Sequence, residues 1–134
     1  MICNVDTKKY LAAYPLWARD PFTRLRGMLW RRFVCGKFDA LVFEHCNSVH
    51  TCFMGYPLDL VFIDGERKVV SVCKRVPPWR VICGGRGARA VIELPPGAIE
   101  FSGTLPGHTL NLDSTLSREG IEKFSSEAIL LSEN

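Results

Sequence analysis

Residues 58–63 read LDLVFI, and both alternating sets of side chains are apolar except at Asp59. A strand that is apolar on both faces must be covered on both faces, so this run belongs at the centre of a layered β-structure. Asp64-Gly65 follows at once, and Lys68 to Cys73 (KVVSVC) forms a second β-branched run. Asp-Gly between two such runs predicts a hairpin, since a tight primed turn needs positive φ and glycine supplies it without strain. Glu66 and Arg67 are polar as well, which allows a loop longer than two residues. Asp59 is the exception to explain. A carboxylate inside a buried strand must be paired, hydrogen-bonded or protonated. Either it ties down a neighbouring turn through backbone N–H groups or an arginine, or it faces a pocket and binds or reacts.

The remaining punctuation repeats this pattern. Residues 1–14 read as one extended opening strand anchored by Tyr10, Leu11 and Tyr14. Ala40 to Phe43 is a short buried strand, and residues 44–49 (EHCNSV) are a polar turn. Pro77-Pro78 ends the second hairpin strand, because proline cannot donate to a ladder. Trp79 to Cys83 resumes extended structure, Gly84, Gly85 and Gly87 mark a loop, and Ala88 to Leu94 is a further strand. Pro95-Pro96-Gly97 is a turn, Ala98 to Ser102 a short helical piece, and His108 to Leu112 a closing strand. Short strands at close spacing predict a mainly-β fold, a jelly-roll-like barrel or sandwich of antiparallel strands.

Helical signals are fewer. Asp20 is a suitable N-cap and Pro21 a suitable first helical residue, with Phe22, Leu25, Met28 and Leu29 at helical spacing. Gly27 sits within that helix, where it costs up to ~1 kcal/mol against alanine. Residues 114–134 differ in kind, being rich in Ser and Glu; they read as a C-terminal helix or a mobile tail. Ile121, Phe124, Ala128 and Leu131 would share one helical face. The division is therefore a single mainly-β domain over residues 1–113, followed by 114–134.

A chain of 134 residues with 47 % hydrophobic content folds as one domain without needing a metal or disulfide. A net charge of +3 is too mild to imply nucleic acid. The arginines of residues 19–32 lack the interleaved exposed aromatics of a nucleic-acid face. They read as a solvated helix face, with an anion site near Arg24 as the functional alternative. No apolar run approaches the ~20 residues of a membrane span, and residues 1–14 lack signal-peptide features. The expectation is a cytoplasmic protein with no nucleic-acid or membrane partner. Its six cysteines are then read as free thiols.

Candidate chemistry is sparse. Cys46, His50 and Cys52 share strand parity and are zinc-ligand types, but a structural zinc site wants four ligands, usually in paired C-x-x-C spacing. Neither a metal nor a cofactor is expected. Cys52 and His50 would stand about 7 Å apart along a strand, too far for direct proton transfer. Asp59 and Asp64 would stand about 17 Å apart, against the roughly 5–9.5 Å that glycosidic chemistry needs. No catalytic residue is assigned. The reading that fits best is a non-catalytic binding or accessory domain, holding a small ligand or a protein partner. Its candidate ligand-binding residues are His50, Met54, Asp59, Trp79, Arg80 and Arg24. The alternative is a small enzyme using His50 and Asp59, or a metal-binding variant through Cys46, His50 and Cys52.

Three ordered motifs resemble a known family. Arg24 through Leu29 matches an R-x-x-G-L-[ML] pattern, with Met28 where leucine is usual. Pro57 through Asp64 corresponds to P-[IL]-D-[IV]-x-F-[IL]-D, with Leu60 where isoleucine or valine is usual. Val91 through Gly97 matches V-L-E-L-P-A-G, with Ile92 and Pro96 as substitutions. Together they resemble the family called domain of unknown function number 192, found mainly in bacteria and archaea, over roughly residues 16–113. SVHTCFM and PWR point to a sub-group. The resemblance implies a mainly-β, jelly-roll-like barrel or sandwich with a short helix, and no settled activity. Its motifs include Gly27, Pro57, Asp64, Glu93 and Gly97 as structural positions, to which the hairpin signal adds Gly65. Many members carry export signals or lipid anchors, for which residues 1–14 give no sign.

Overall fold

The computed structural model describes residues 1–17, 39–51 and 57–112. The helix expected after Asp20, with Arg24 and Gly27, lies outside the described residues, as do Cys52, Met54 and the stretch from 113 to 134. The described strands are β1 (Ile2–Asn4), β2 (Lys9–Ala12), β3 (Pro15–Trp17), β4 (Ala40–Glu44), β5 (Ser48–His50), β6 (Leu58–Ile63), β7 (Val69–Val76), β8 (Val81–Cys83), β9 (Ala90–Leu94) and β10 (Leu110–Leu112). One short helix, α1 (Ala98–Ser102), precedes β10.

These strands form three open sheets rather than a closed barrel. The central one has the order β3-β4-β9-β6-β7 and is flanked by β10-β1-β2 and by the ribbon β5-β8. Its middle strands are buried on both faces, as LDLVFI requires: β6 and β9 are buried along their whole length. Strand alternation divides the core. Val42, Val61, Ile63, Ile92 and Leu94 pack with Ile2, Leu11, Leu110, Leu112 and Ile99, joining the central sheet to the β10-β1-β2 sheet and to α1. Leu41, Phe43, Leu58, Leu60, Phe62 and Val91 pack on the other side, where Val49 and Ile82 of the ribbon cover them.

The fold is mainly β, and most pairings are antiparallel. Among the described pairs, β3 and β4 are the exception, pairing in parallel from Pro15↔Ala40 to Trp17↔Val42. A parallel pair needs a long connection, and the chain between Trp17 and Ala40 is long enough for one. The opening segment is two strands rather than one. β1 and β2 pair antiparallel around a turn in which Lys8 takes φ 59°. Asn4 makes that turn without glycine: its Oδ1 accepts the N–H groups of Asp6 and Thr7 at 2.9 and 3.1 Å.

The β6–β7 hairpin uses the longer loop. Arg67 N–H donates to Asp64 C=O, and Asp64 N–H donates to Lys68 C=O. Asp64 Oδ1 accepts from Glu66 and Lys68 N–H at 2.8 and 2.9 Å. The left-handed residue is Arg67 (φ 65°), not Gly65. The aspartate's side-chain bonds set the first turn residues, so the reversal falls to the third.

Candidate functional site

Asp59 is fully buried, on the face of β6 turned toward α1. Its Oδ1 accepts Arg75 N–H at 2.9 Å, and its Oδ2 accepts Gly97 and Ile99 N–H at 3.1 and 3.0 Å. The register of β7 against β6 slips between Leu58 and Leu60, and Arg75 sits in that bulge at φ 51°. A bulge leaves a ladder N–H without its strand partner, and the first N–H groups of a helix have none within it. One carboxylate answers both needs. Gly97 caps α1 at φ 98°, a conformation that suits glycine.

The same device recurs. Asp39 accepts Ala13 and Tyr14 N–H at 2.7 and 2.8 Å, and Asp6 accepts Thr109 N–H at 2.7 Å. Asp39 was not among the sequence candidates, because a lone aspartate before a strand carries no motif. Glu93, a motif position, is 2 % exposed on β9, on the face that it shares with Leu41 and Leu60.

His50 lies elsewhere. It ends β5 exposed and pairs with Val81 of β8. The ribbon covers the face of the central sheet opposite to that of Asp59. The structure therefore separates His50 from Asp59, and the pair cannot act as an acid–base dyad.

What the ribbon does gather is His50, Trp79 and Arg80. Thr51, 1 % exposed, organises the VPPWR turn. Its Oγ1 donates to Pro77 C=O at 2.7 Å and accepts Arg80 N–H at 2.9 Å. Its N–H donates to Arg80 C=O, and its C=O accepts Trp79 N–H. Held this way, Trp79 adopts φ 65° and is 62 % exposed, beside Val81 at 76 %. A left-handed backbone at a bulky aromatic is strained and persists only where its surroundings enforce it. The Arg80 guanidinium contacts Trp79 C=O at 3.5 Å rather than Asp59. Nothing local in the sequence marks this role of Thr51, because it depends on the β5–β8 pairing.

Among the described residues, Cys46, Cys73 and Cys83 are free thiols. Cys46 Sγ donates to Ser48 C=O at 2.8 Å. Burial pushes the Cys73 thiol above its ordinary range, so it is a poor nucleophile. Among the described residues, no three His, Cys, Asp or Glu side chains are placed to hold a metal. No described helix is long and apolar enough to cross a membrane.

Comparison with known proteins agrees with the fold. The model of the DUF192 family, described as an uncharacterized ACR, matches residues 5–112. A UPF0127 protein of Thermococcus sibiricus is 34 % identical over 74 residues, covering 55 % of this chain. That match spans about half of the relative's own length, 47 %. A UPF0127 protein of Pyrococcus furiosus is 29 % identical over 99 residues, covering 72 % of this chain and 84 % of that protein. A crystal structure of a protein of unknown function from Novosphingobium aromaticivorans superposes with a TM-score of 0.61. It covers 73 % of this chain and 74 % of its own at 18 % identity, which bears on fold alone.

Proposed function

The chain belongs to the DUF192 family, whose members are uncharacterised, and from that premise we propose that it is a non-catalytic recognition domain binding a small ligand at the β5–β8 ribbon. The observation that carries this reading is Trp79. A large aromatic is held in strained backbone, largely exposed, on a turn pinned by hydrogen bonds to Thr51. Rigid, exposed aromatics offer contact area at low entropic cost, and strain of this kind clusters at ligand sites. His50, which pairs with Val81, and Arg80, whose guanidinium meets the Trp79 carbonyl, add donors and positive charge to the same turn and ribbon. The engagement of Asp6, Asp39, Asp59 and Asp64 with backbone N–H groups supports a role other than acid–base catalysis.

The test is an amide NMR spectrum titrated with pooled sugars, nucleotides and amino acids, run beside a Trp79→Ala control. Saturable shifts on residues 48–51 and 79–83 that vanish in the control are expected. Shifts that ignore the substitution, or none in any pool, would remove small-ligand binding at the ribbon.

A further inference from the structure

A second feature lies at the other end of β5. The turn of His45, Cys46 and Asn47 and the segment Ala88–Arg89 line an open cleft of about 370 Å³. We infer that this cleft is a binding site for a small oxyanion, the carboxylate or phosphate group of a small metabolite, held by Arg89 with Asn47 and His45.

Its walls are fixed by backbone hydrogen bonds. Cys46 N–H donates to Arg89 C=O at 2.9 Å, Arg89 N–H to Ile63 C=O at 2.8 Å, and Gly84 N–H to Asn47 C=O at 2.8 Å. The cleft is thus anchored to β6, the most buried strand, and its volume lies in the range of small-molecule sites. His45 stands at φ 54°, in the left-handed region, where strain collects at functional positions.

The chemistry is that of donors. His45, Asn47 and Arg89 are exposed, and Arg86 lies on the same loop. The ion pair found among the described residues joins Arg75 to Glu100, so Arg86 and Arg89 have no carboxylate partner there. Three acids lie near these residues, Glu66 being exposed beside Gly65. Asp64 Oδ1 is engaged by Glu66 and Lys68 N–H, and Glu44 is exposed at the end of β4. The Arg89 stem passes over the hairpin: a Cβ built on Gly65 would meet Arg89 Cδ at 3.5 Å and Nη1 at 4.0 Å. The planar guanidinium offers a fork that matches carboxylate or phosphate in two-point contact. The Cys46 thiol donates to Ser48 C=O, so it lines the cleft without attacking a ligand. The site binds rather than reacts.

The test titrates the full chain with inorganic phosphate and with succinate, each against sodium chloride at matched ionic strength, and follows backbone amides. Saturable shifts at millimolar concentration on residues 45–47 and 86–89 are expected for one of the two anions, and which one identifies the headgroup. Arg89→Gln should weaken binding at least tenfold without moving the melting temperature, and Asn47→Ala should weaken it severalfold. Shifts that do not saturate, that chloride reproduces, or that persist unchanged in both variants would overturn the site. These resonances differ from those that report on the ribbon, so the two sites are judged separately.

Discussion

The sharpest test of the architecture is Asp59→Asn. The carboxylate gives Oδ1 to the bulge N–H of Arg75 and Oδ2 to the N–H groups of Gly97 and Ile99. An amide has one oxygen. Turned toward Gly97 and Ile99, it keeps two bonds without the ionic contribution and points its NH₂ at the Arg75 N–H. Turned the other way, it opposes two donors. The first orientation is the better one. It loses one buried hydrogen bond and weakens two, at about 1–3 kcal/mol for a charge-assisted bond. The expected loss is about 3 kcal/mol, and about 4–5 kcal/mol for Asp59→Ala, which leaves all three donors unmet. Against a typical domain stability of about 5–15 kcal/mol, the alanine variant would be marginal. Urea unfolding measures this. With a slope of about 2 kcal/mol per molar, the asparagine midpoint should fall by roughly 1–1.5 M. Native-state hydrogen exchange should show protection lost first at Arg75. A midpoint within about 0.3 M of wild type would refute the three-donor clamp.

The glycines offer a contrast in sign. Gly84→Ala would place a methyl 2.3 Å from the Phe62 ring and should cost about 2–3 kcal/mol or prevent folding, read from the melting temperature. Gly65→Ala, directly after the family motif, should be neutral or stabilise by up to about 1 kcal/mol, because that residue does not need positive φ and has room for a Cβ. Thr51→Val removes the hydroxyl that accepts from Arg80 and donates to Pro77. It should cost about 1–3 kcal/mol and shift the Trp79 indole resonance, whereas Thr51→Ser should restore the native shift. Iodoacetamide at pH 8 should label Cys83, which is exposed, well before Cys73, whose raised pKa keeps it as the thiol. The gap should narrow as pH rises, and equal rates by peptide mass spectrometry at pH 8 would contradict the burial argument.

The central hairpin, β9 and α1 were legible because their signals are local. Alternation in LDLVFI, β-branched runs and the Pro-Pro-Gly turn each act within a few residues. The split between β1 and β2 was hidden because its turn is made by the Asn4 side chain and a left-handed Lys8, with no glycine to mark it. β5 was hidden because EHCNSV is polar, as an outer ribbon with one exposed face must be. The candidate site was less legible still. That His50 meets Val81 follows from a pairing register between segments distant in the chain. That Asp59 turns away from His50 depends on which face α1 covers. Parity places Asp59 with Val61 and Ile63 but does not say what lies above them.

The parallel pair β3–β4 is set from one end. Asp39 holds the N–H groups of Ala13 and Tyr14, and the ladder runs on to Trp17↔Val42. The pairing of β3 with β4 is thus clamped at its start by one side chain, independently of whatever joins Trp17 to Asp39.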